Sequence, residues 1–431
     1  MSPLPEHKLT TLDSGLRVVT EHMGSVRSAA LGFFVGAGSR GELPEEAGLS
    51  HFLEHMLFRG TERFASAEID QLFDAMGAEL NAGTDKEGTT VYARMLDQHM
   101  PRAFDVMADM VWRPAFNDVD PEREVVLEEI AMYEDDPQDT VFDVLGTSIF
   151  GDHPLGRPII GRAPVIRETP VDQIAAFHAR RYVPSSVVIA AAGSVDHDAI
   201  VALAERTLRG LRAGESAPQP DPAPQLPQSR LRFQTKETEQ VHVCLGGPGL
   251  SRADERRYAV RVLDAIFGGL SSSRLFQSVR EERGLAYAVY SFAGNFVDTG
   301  QVGLYVGTRP DNLAEAMQVV EAELRRLRER PVSAEELDRA RENVKARVVL
   351  AMESSAARMN RLGSATLYGL PLLEADEIMA RFDAVTFDDL QSLVVELWAP
   401  ERLSAAGIGP SQEAFRAAVE PVCPVAEAVA A

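Results

Sequence analysis

The chain is expected to be an α+β protein of two homologous domains, each an antiparallel-rich sheet covered by helices. Three observations carry this expectation. At 431 residues the chain is too long for one ordinary domain and fits two of about 200 each. The two halves repeat. Tyr182-Val183-Pro184 leads into an apolar run closed by Gly193, and Trp398-Ala399-Pro400 leads into one closed by Gly409, offset by 216 residues in both cases. Between the halves, Ala213 to Gln228 carries Pro218, Pro220, Pro222, Pro224 and Pro227, the composition of a linker. The expected domains are therefore 1–212 and 229–431, with 213–228 joining them.

The elements follow in order. Lys8 to Leu12 and Leu16 to Glu21 flank Asp13-Ser14-Gly15 and read as a hairpin. Ser28 to Gly36 is a third, more buried strand. Gly36-Ala37-Gly38-Ser39-Arg40-Gly41 is a connection too irregular for a dinucleotide fingerprint. A helix is expected from about Glu45 to Gly60, and a second from Ala67 to Met76, ended by Gly77. Ala78 to Thr84 and Gly88 to Leu96 are paired strands turned by Asp85-Lys86-Glu87-Gly88. Helices follow at Met100 to Val111, Pro121 to Asp135 and Asp139 to Phe150, then at Val171 to Arg180 and His197 to Arg209 around a strand at Val187 to Ala192. His153 lies in a turn and reads as structural. In the second half, strand Val302 to Gly307 precedes helix Asn312 to Arg328.

The first of those helices carries the chemistry. In Leu49-Ser50-His51-Phe52-Leu53-Glu54-His55-Met56-Leu57-Phe58 the polar residues are spaced i, i+3, i+4, which places them on one helical face. Two imidazoles on adjacent turns can hold one Zn²⁺, and Glu54 stands beside them to take a proton from a water that the metal activates. This is the H-x-x-E-H pattern. Burying all three without a partner would cost several kcal/mol. A catalytic site needs a third protein ligand. The best supplier is the acidic helix that opens at Asp120-Pro121, where Glu122 and Glu129 share a face seven residues apart. Spacing alone leaves Glu128 and Glu129 both open.

His51-Phe52-Leu53-Glu54-His55, followed by Val126-Leu127-Glu128-Glu129-Ile130, resembles the pitrilysin/insulinase family of zinc metallopeptidases, in its processing-peptidase-like branch. The likeness runs along nearly the whole chain. It implies that Glu129 completes the site with His51 and His55, and that Glu122 supports the ligands from behind. It implies one Zn²⁺ per chain, Glu54 as general base, and a strand edge at Asn81 and Ala82 to which a peptide adds by β-augmentation. Arg280 and Tyr287, seven residues apart in the second half, match the pair that holds the substrate carbonyl in the family. Aligning Phe58 with Phe267 sets Val260, Leu263 and Asp264 where the first copy has His51, Glu54 and His55, so the second copy lacks a metal site. Longer members of the family close one chain like a clam-shell. The resemblance therefore implies that two chains, identical or homologous, close on each other here. The family also contains non-catalytic subunits, which lack the metal residues, and this is the alternative reading.

Composition sets further bounds. A net charge of −22 argues against nucleic acid as a partner, because binding it requires a basic surface. An acidic field attracts cationic peptides, though the same acids would serve solubility alone. No apolar run approaches the length of a membrane span, so no membrane partner is expected. The first residues lack the regions of a signal peptide, and two distant cysteines, Cys244 and Cys423, make no disulfide framework. A cytoplasmic protein acting on peptides is the expectation.

Overall fold

The structure, a computed structural model, describes residues 7–209, 211, 214, 221–228, 230–329 and 332–424. Part of the expected proline-rich linker, Ala213 and residues 215–220, lies outside the described residues. Two sheets organise the molecule. The first contains β1 (His7–Thr11), β2 (Arg17–His22), β3 (Ser28–Val35), β4 (Glu79–Thr84), β5 (Thr89–Leu96) and β6 (Val187–Gly193) in the order β1-β2-β6-β3-β5-β4. The second contains β7 (Leu231–Thr235), β8 (Val241–Gly249), β9 (Ala286–Asn295), β10 (Gly300–Thr308) and β11 (Ser404–Gly409) in the order β7-β11-β8-β10-β9. Dropping β1 makes the two orders identical, so the duplication read from Pro184 and Pro400 extends to the topology. Each sheet has one parallel pair, β2 with β6 and β7 with β11, and is otherwise antiparallel. The α+β class with two homologous domains holds.

In the first unit one face of the sheet is covered by α1 (Leu49–Leu57), α2 (Ser66–Met76) and α3 (Met100–Trp112). Phe33, Phe52, Leu53, Met56, Phe104 and Met107 are fully buried between them. α4 (Val119–Asp135) and α5 (Pro137–Phe150) follow.

The compact units depart from the contiguous halves 1–212 and 229–431. The first unit is 1–131, 158–220 and 349–373, and the second is 132–157, 221–348 and 374–431. α5, from the first half of the sequence, covers the second sheet, where Val141, Leu145 and Ile149 pack with Tyr305, Ala406 and Ile408. Its counterpart in the repeat, the helix Ser355–Leu367, covers the first sheet, where Met359 and Leu362 pack with Phe34, Val188 and Ala190. The approach is close enough to need glycine, since a Cβ on Gly363 would lie 2.1 Å from the Phe34 ring. The same helix is tied down by Arg358 and Arg361, which both donate to the carboxylate of Glu21, 1% exposed on β2. Two copies of one sheet offer equivalent apolar faces, so local pattern cannot say which copy a helix will cover.

The motif helix is shorter than expected. α1 starts at Leu49 rather than near Glu45, because Pro44–Glu46 forms a separate 3-10 turn and Gly48 breaks the run at φ +102°. No side chain fits at Gly48, where a Cβ would lie 2.8 Å from the Gly161 Cα. The buried carboxylate of Glu42 accepts from the N–H groups of Gly48 and Ser50 at 2.8 and 2.7 Å, which satisfies the first turn and opposes its dipole. Among the described residues no helix is long and apolar enough to cross a membrane.

Candidate metal centre

The site is built on two helices and one strand of the first unit. α1 buries Phe52, Leu53, Met56 and Leu57 and turns His51, Glu54 and His55 to the opposite, partly open face. α4 buries Val126 and Ile130, and the same helical phase carries Glu122 and Glu129 toward α1. Glu129 Oε1 lies 3.6 Å from His51 Nε2, and Oε2 lies 3.3 Å from His55 Nε2. The two imidazole rings meet edge to face, with centroids 4.7 Å apart. One donor atom from each of the three residues falls within 4.8 Å of the others, and among the described residues this is the group of His, Cys, Asp or Glu that could hold an ion. Glu128, one residue earlier, is exposed.

Glu122 is 3% exposed and works from behind. Its Oε1 accepts from His55 Nδ1 at 2.7 Å, and its Oε2 pairs with the guanidinium of Arg59. A carboxylate at Nδ1 fixes the proton there and leaves the Nε2 lone pair facing Glu129. Two imidazole lone pairs and a carboxylate aimed at one point repel one another unless a cation lies between them. The donor set, two nitrogens and one carboxylate, is that of a catalytic zinc site, so these residues fit a divalent metal. Burial, and then neighbouring His55, pulls the pKa of His51 down to about 4, which keeps that ring neutral and able to ligate at neutral pH.

Glu54 stands beside the triad. Its Oε2 accepts a 2.5 Å hydrogen bond from Thr84 Oγ1 at the end of β4. Burial raises the pKa of Glu54, the Thr84 hydroxyl and His55 oppose that rise, and Glu129 adds to it. A carboxylate held in place with a pKa above its usual range suits proton transfer. Spacing along α1 gave no sign of Thr84, whose partner is thirty residues away. Arg59 was readable in principle, being one turn past His55 on the same face.

Among the described residues β4 pairs with β5 alone and is one of the two edges of the first sheet, β1 being the other. Asn81 is exposed on it, and its side-chain oxygen accepts from the N–H of Ala82 at 2.8 Å. Arg280 and Tyr287 belong to the second unit. They lie together: the Arg280 guanidinium sits 4.6 Å from the centre of the Tyr287 ring and 4.8 Å from that of Phe276. Tyr287 is 77% exposed. In the helix Arg257–Phe267 of the same unit, Val260 and Leu263 are buried, and Asp264 accepts from Ser291 Oγ at 2.5 Å.

Comparison with known proteins gives the family of the chain. Residues 17–163 match the model of the insulinase family, peptidase family M16, and residues 170–344 match that of the peptidase M16 inactive domain. An uncharacterised zinc protease of Streptomyces coelicolor is 41% identical over 94% of this chain and 90% of its own. One from Bacillus subtilis is 38% identical over 94% of this chain and 98% of its own. A crystal structure of a protease from Helicobacter pylori shares the fold with a TM-score of 0.89 at 22% identity, over 94% of this chain and 100% of that one. A peptidase M16 inactive domain from Pseudomonas fluorescens does so with 0.88 at 22% identity, over 94% of this chain and 98% of that one. With both family models matched in sequence order and a relative 41% identical over 94% of the chain, the chain belongs to the insulinase family of peptidases, M16.

Proposed function

We propose that the protein is a cytoplasmic zinc endopeptidase. The observation that carries this reading is the convergence of His51, His55 and Glu129 within 4.8 Å, with Glu122 behind His55 and Glu54 alongside. His51 Nε2, His55 Nε2 and the Glu129 carboxylate would hold one Zn²⁺ per chain, which when bound supplies Lewis acidity and makes water acidic enough to react near neutral pH. Glu54 Oε1 takes the proton of the attacking water, while Oε2 stays fixed by Thr84. The same carboxylate then delivers that proton to the leaving amine. The peptide lies as an added strand along the β4 edge at Asn81 and Ala82, held by main-chain hydrogen bonds that are blind to side chains. Extended, unfolded segments are therefore the substrates. Arg280 and Tyr287 of a second, identical or homologous chain donate to the substrate carbonyl as negative charge develops there. The stacking of the guanidinium on the phenol supports the two acting together. Two buried, unpaired thiols, Cys244 and Cys423, are compatible with a reducing compartment.

The test is Glu54→Gln. The variant is expected to retain stoichiometric zinc by metal analysis and to hydrolyse a quenched fluorescent peptide at least 10³-fold more slowly, the scale of losing a general base. Wild-type hydrolysis is expected to stop with a chelator and return with zinc. Full activity in Glu54→Gln removes that residue from the reaction. Activity unaffected by metal removal rejects the reading as a whole. Mixed dimers of a His51→Ala chain and an Arg280→Ala/Tyr287→Phe chain are expected to regain activity, and no recovery argues against the shared site.

A further inference from the structure

Glu54 and Thr84 sit on different elements, α1 and β4, so their 2.5 Å contact depends on what holds those elements in place. One short loop grips both. At one end, residues 37–40 are tied to the turn that follows β4. Ser39 N and Arg40 N donate to the carbonyls of Asp85 and Lys86 at 3.3 and 2.7 Å. Thr89 Oγ1 donates to the carbonyl of Ala37 at 2.8 Å. The Arg40 guanidinium donates to Glu87 Oε1 at 2.7 Å, and the two side chains are only 3% and 5% exposed. At the other end, two residues on, Glu42 accepts from the N–H groups of Gly48 and Ser50 at the start of α1. Thr84 closes β4 just ahead of the turn, and its hydroxyl lies 3.2 Å from that of Thr89.

The ion pair is the expensive part of this clamp. Taking both charges out of water offsets most of their attraction, and apolar residues of similar volume would serve stability as well. What apolar residues lack is direction. A guanidinium presents its N–H groups in a fixed fork, and the backbone bonds beside it leave loop and turn one way to fit. We propose that residues 37–42 are the positioning element of the site, and that the Arg40–Glu87 pair sets where Thr84 holds the Glu54 carboxylate. The kinetic part of this rests on the peptide-hydrolysis reading above. Arg40 and Glu87 are positioning residues: both are buried, and they act through Thr84. A displacement of about 1 Å in such a support costs on the order of 10²-fold in rate.

The experiment separates position from stability. Arg40→Met/Glu87→Met removes both charges and leaves apolar volume in their place. Its urea midpoint is expected to stay near that of the parent, with zinc still stoichiometric. Its crystal structure is expected to show the Thr84–Glu54 contact lengthened beyond about 3.5 Å, the limit of a hydrogen bond. On a quenched fluorescent peptide, kcat is expected to fall about 10- to 100-fold. In a Thr84→Val background the same double substitution should cost less than about threefold, because the contact it acts through is already gone. Thr89→Val takes a single hydroxyl from the clamp and provides the same readings should the double variant not fold. The contact and kcat are expected to shift in Thr89→Val and to return in Thr89→Ser. An unmoved Thr84–Glu54 contact in the folded variants overturns the proposal, whether or not the protein cuts peptides. So does a kcat within about twofold of the parent, or an undiminished fall in the Thr84→Val background. A parent protein without metal-dependent hydrolysis refutes the peptidase reading instead, and the crystallographic distance then decides the clamp by itself.

Discussion

Glu122→Ala tests how much of the metal affinity comes from behind the ligands. Glu122 touches no ion itself. It accepts from His55 Nδ1 at 2.7 Å and pairs with Arg59 through its other oxygen. Removing it has two consequences. His55 loses the acceptor that selects its tautomer and fixes its ring plane, a charge-assisted hydrogen bond worth about 1.5–3 kcal/mol. Arg59 loses its partner, but its side chain is 39% exposed and can turn to water, so this adds little. The zinc dissociation constant is therefore expected to rise about 10- to 100-fold. Glu122→Gln keeps an oxygen for the Nδ1–H and should lie nearer the lower figure. The assay is equilibrium competition with a chromogenic chelator, with far-UV circular dichroism of the metal-free proteins to show that the fold is intact. A zinc affinity within twofold of the parent, in a folded Glu122→Ala protein, would refute the orienting role.

Three further outcomes follow from the same geometry. Thr84→Val removes the hydroxyl that opposes the burial-driven rise in the Glu54 pKa, so the acid limb of the kcat/KM–pH profile should move to higher pH, and an unmoved limb counts against the contact. In metal-free protein His51 is held near 4 by burial and by His55, whereas an unfolded chain takes up that proton near 6.5. The unfolded state thus binds more protons between these values, and stability should fall by about 2 kcal/mol as pH drops through that window. Urea midpoints of the chelated protein at pH 7 and pH 4.5, compared with His51→Gln, check this, since the variant should lose that part of the slope. Glu21→Ala leaves Arg358 and Arg361 without their shared carboxylate under the exchanged helix, and should cost about 2–4 kcal/mol in chemical denaturation. A change below about 0.5 kcal/mol would mean that apolar packing alone holds the helix Ser355–Leu367.

Much of the site was legible along one helix. The i, i+3, i+4 spacing of His51, Glu54 and His55 fixes a shared face through backbone geometry alone, whatever surrounds it. The apolar residues between them say which side is buried, and the pairing of Gly193 with Gly409 gives the duplication that both sheets display. The start of α1 was misjudged because Pro44, Glu45 and Glu46 look like a helix entry, while the break is set by Gly48 lying against Gly161. That contact spans more than a hundred residues and leaves no local trace.

What the sequence by itself determined is therefore the set of groups able to act and the faces they occupy. Only the tertiary structure decided which groups meet. Glu129 rather than Glu128 faces the histidines because α4 rotates Val126 and Ile130 into the core, and that choice is made by packing against other elements. The same holds for Thr84 on Glu54, and for α5 and Ser355–Leu367 covering the sheet of the other sequence half. Spacing within an element is a property of the backbone. Proximity between elements is settled by the sum of apolar surface buried across the chain, which no single stretch encodes.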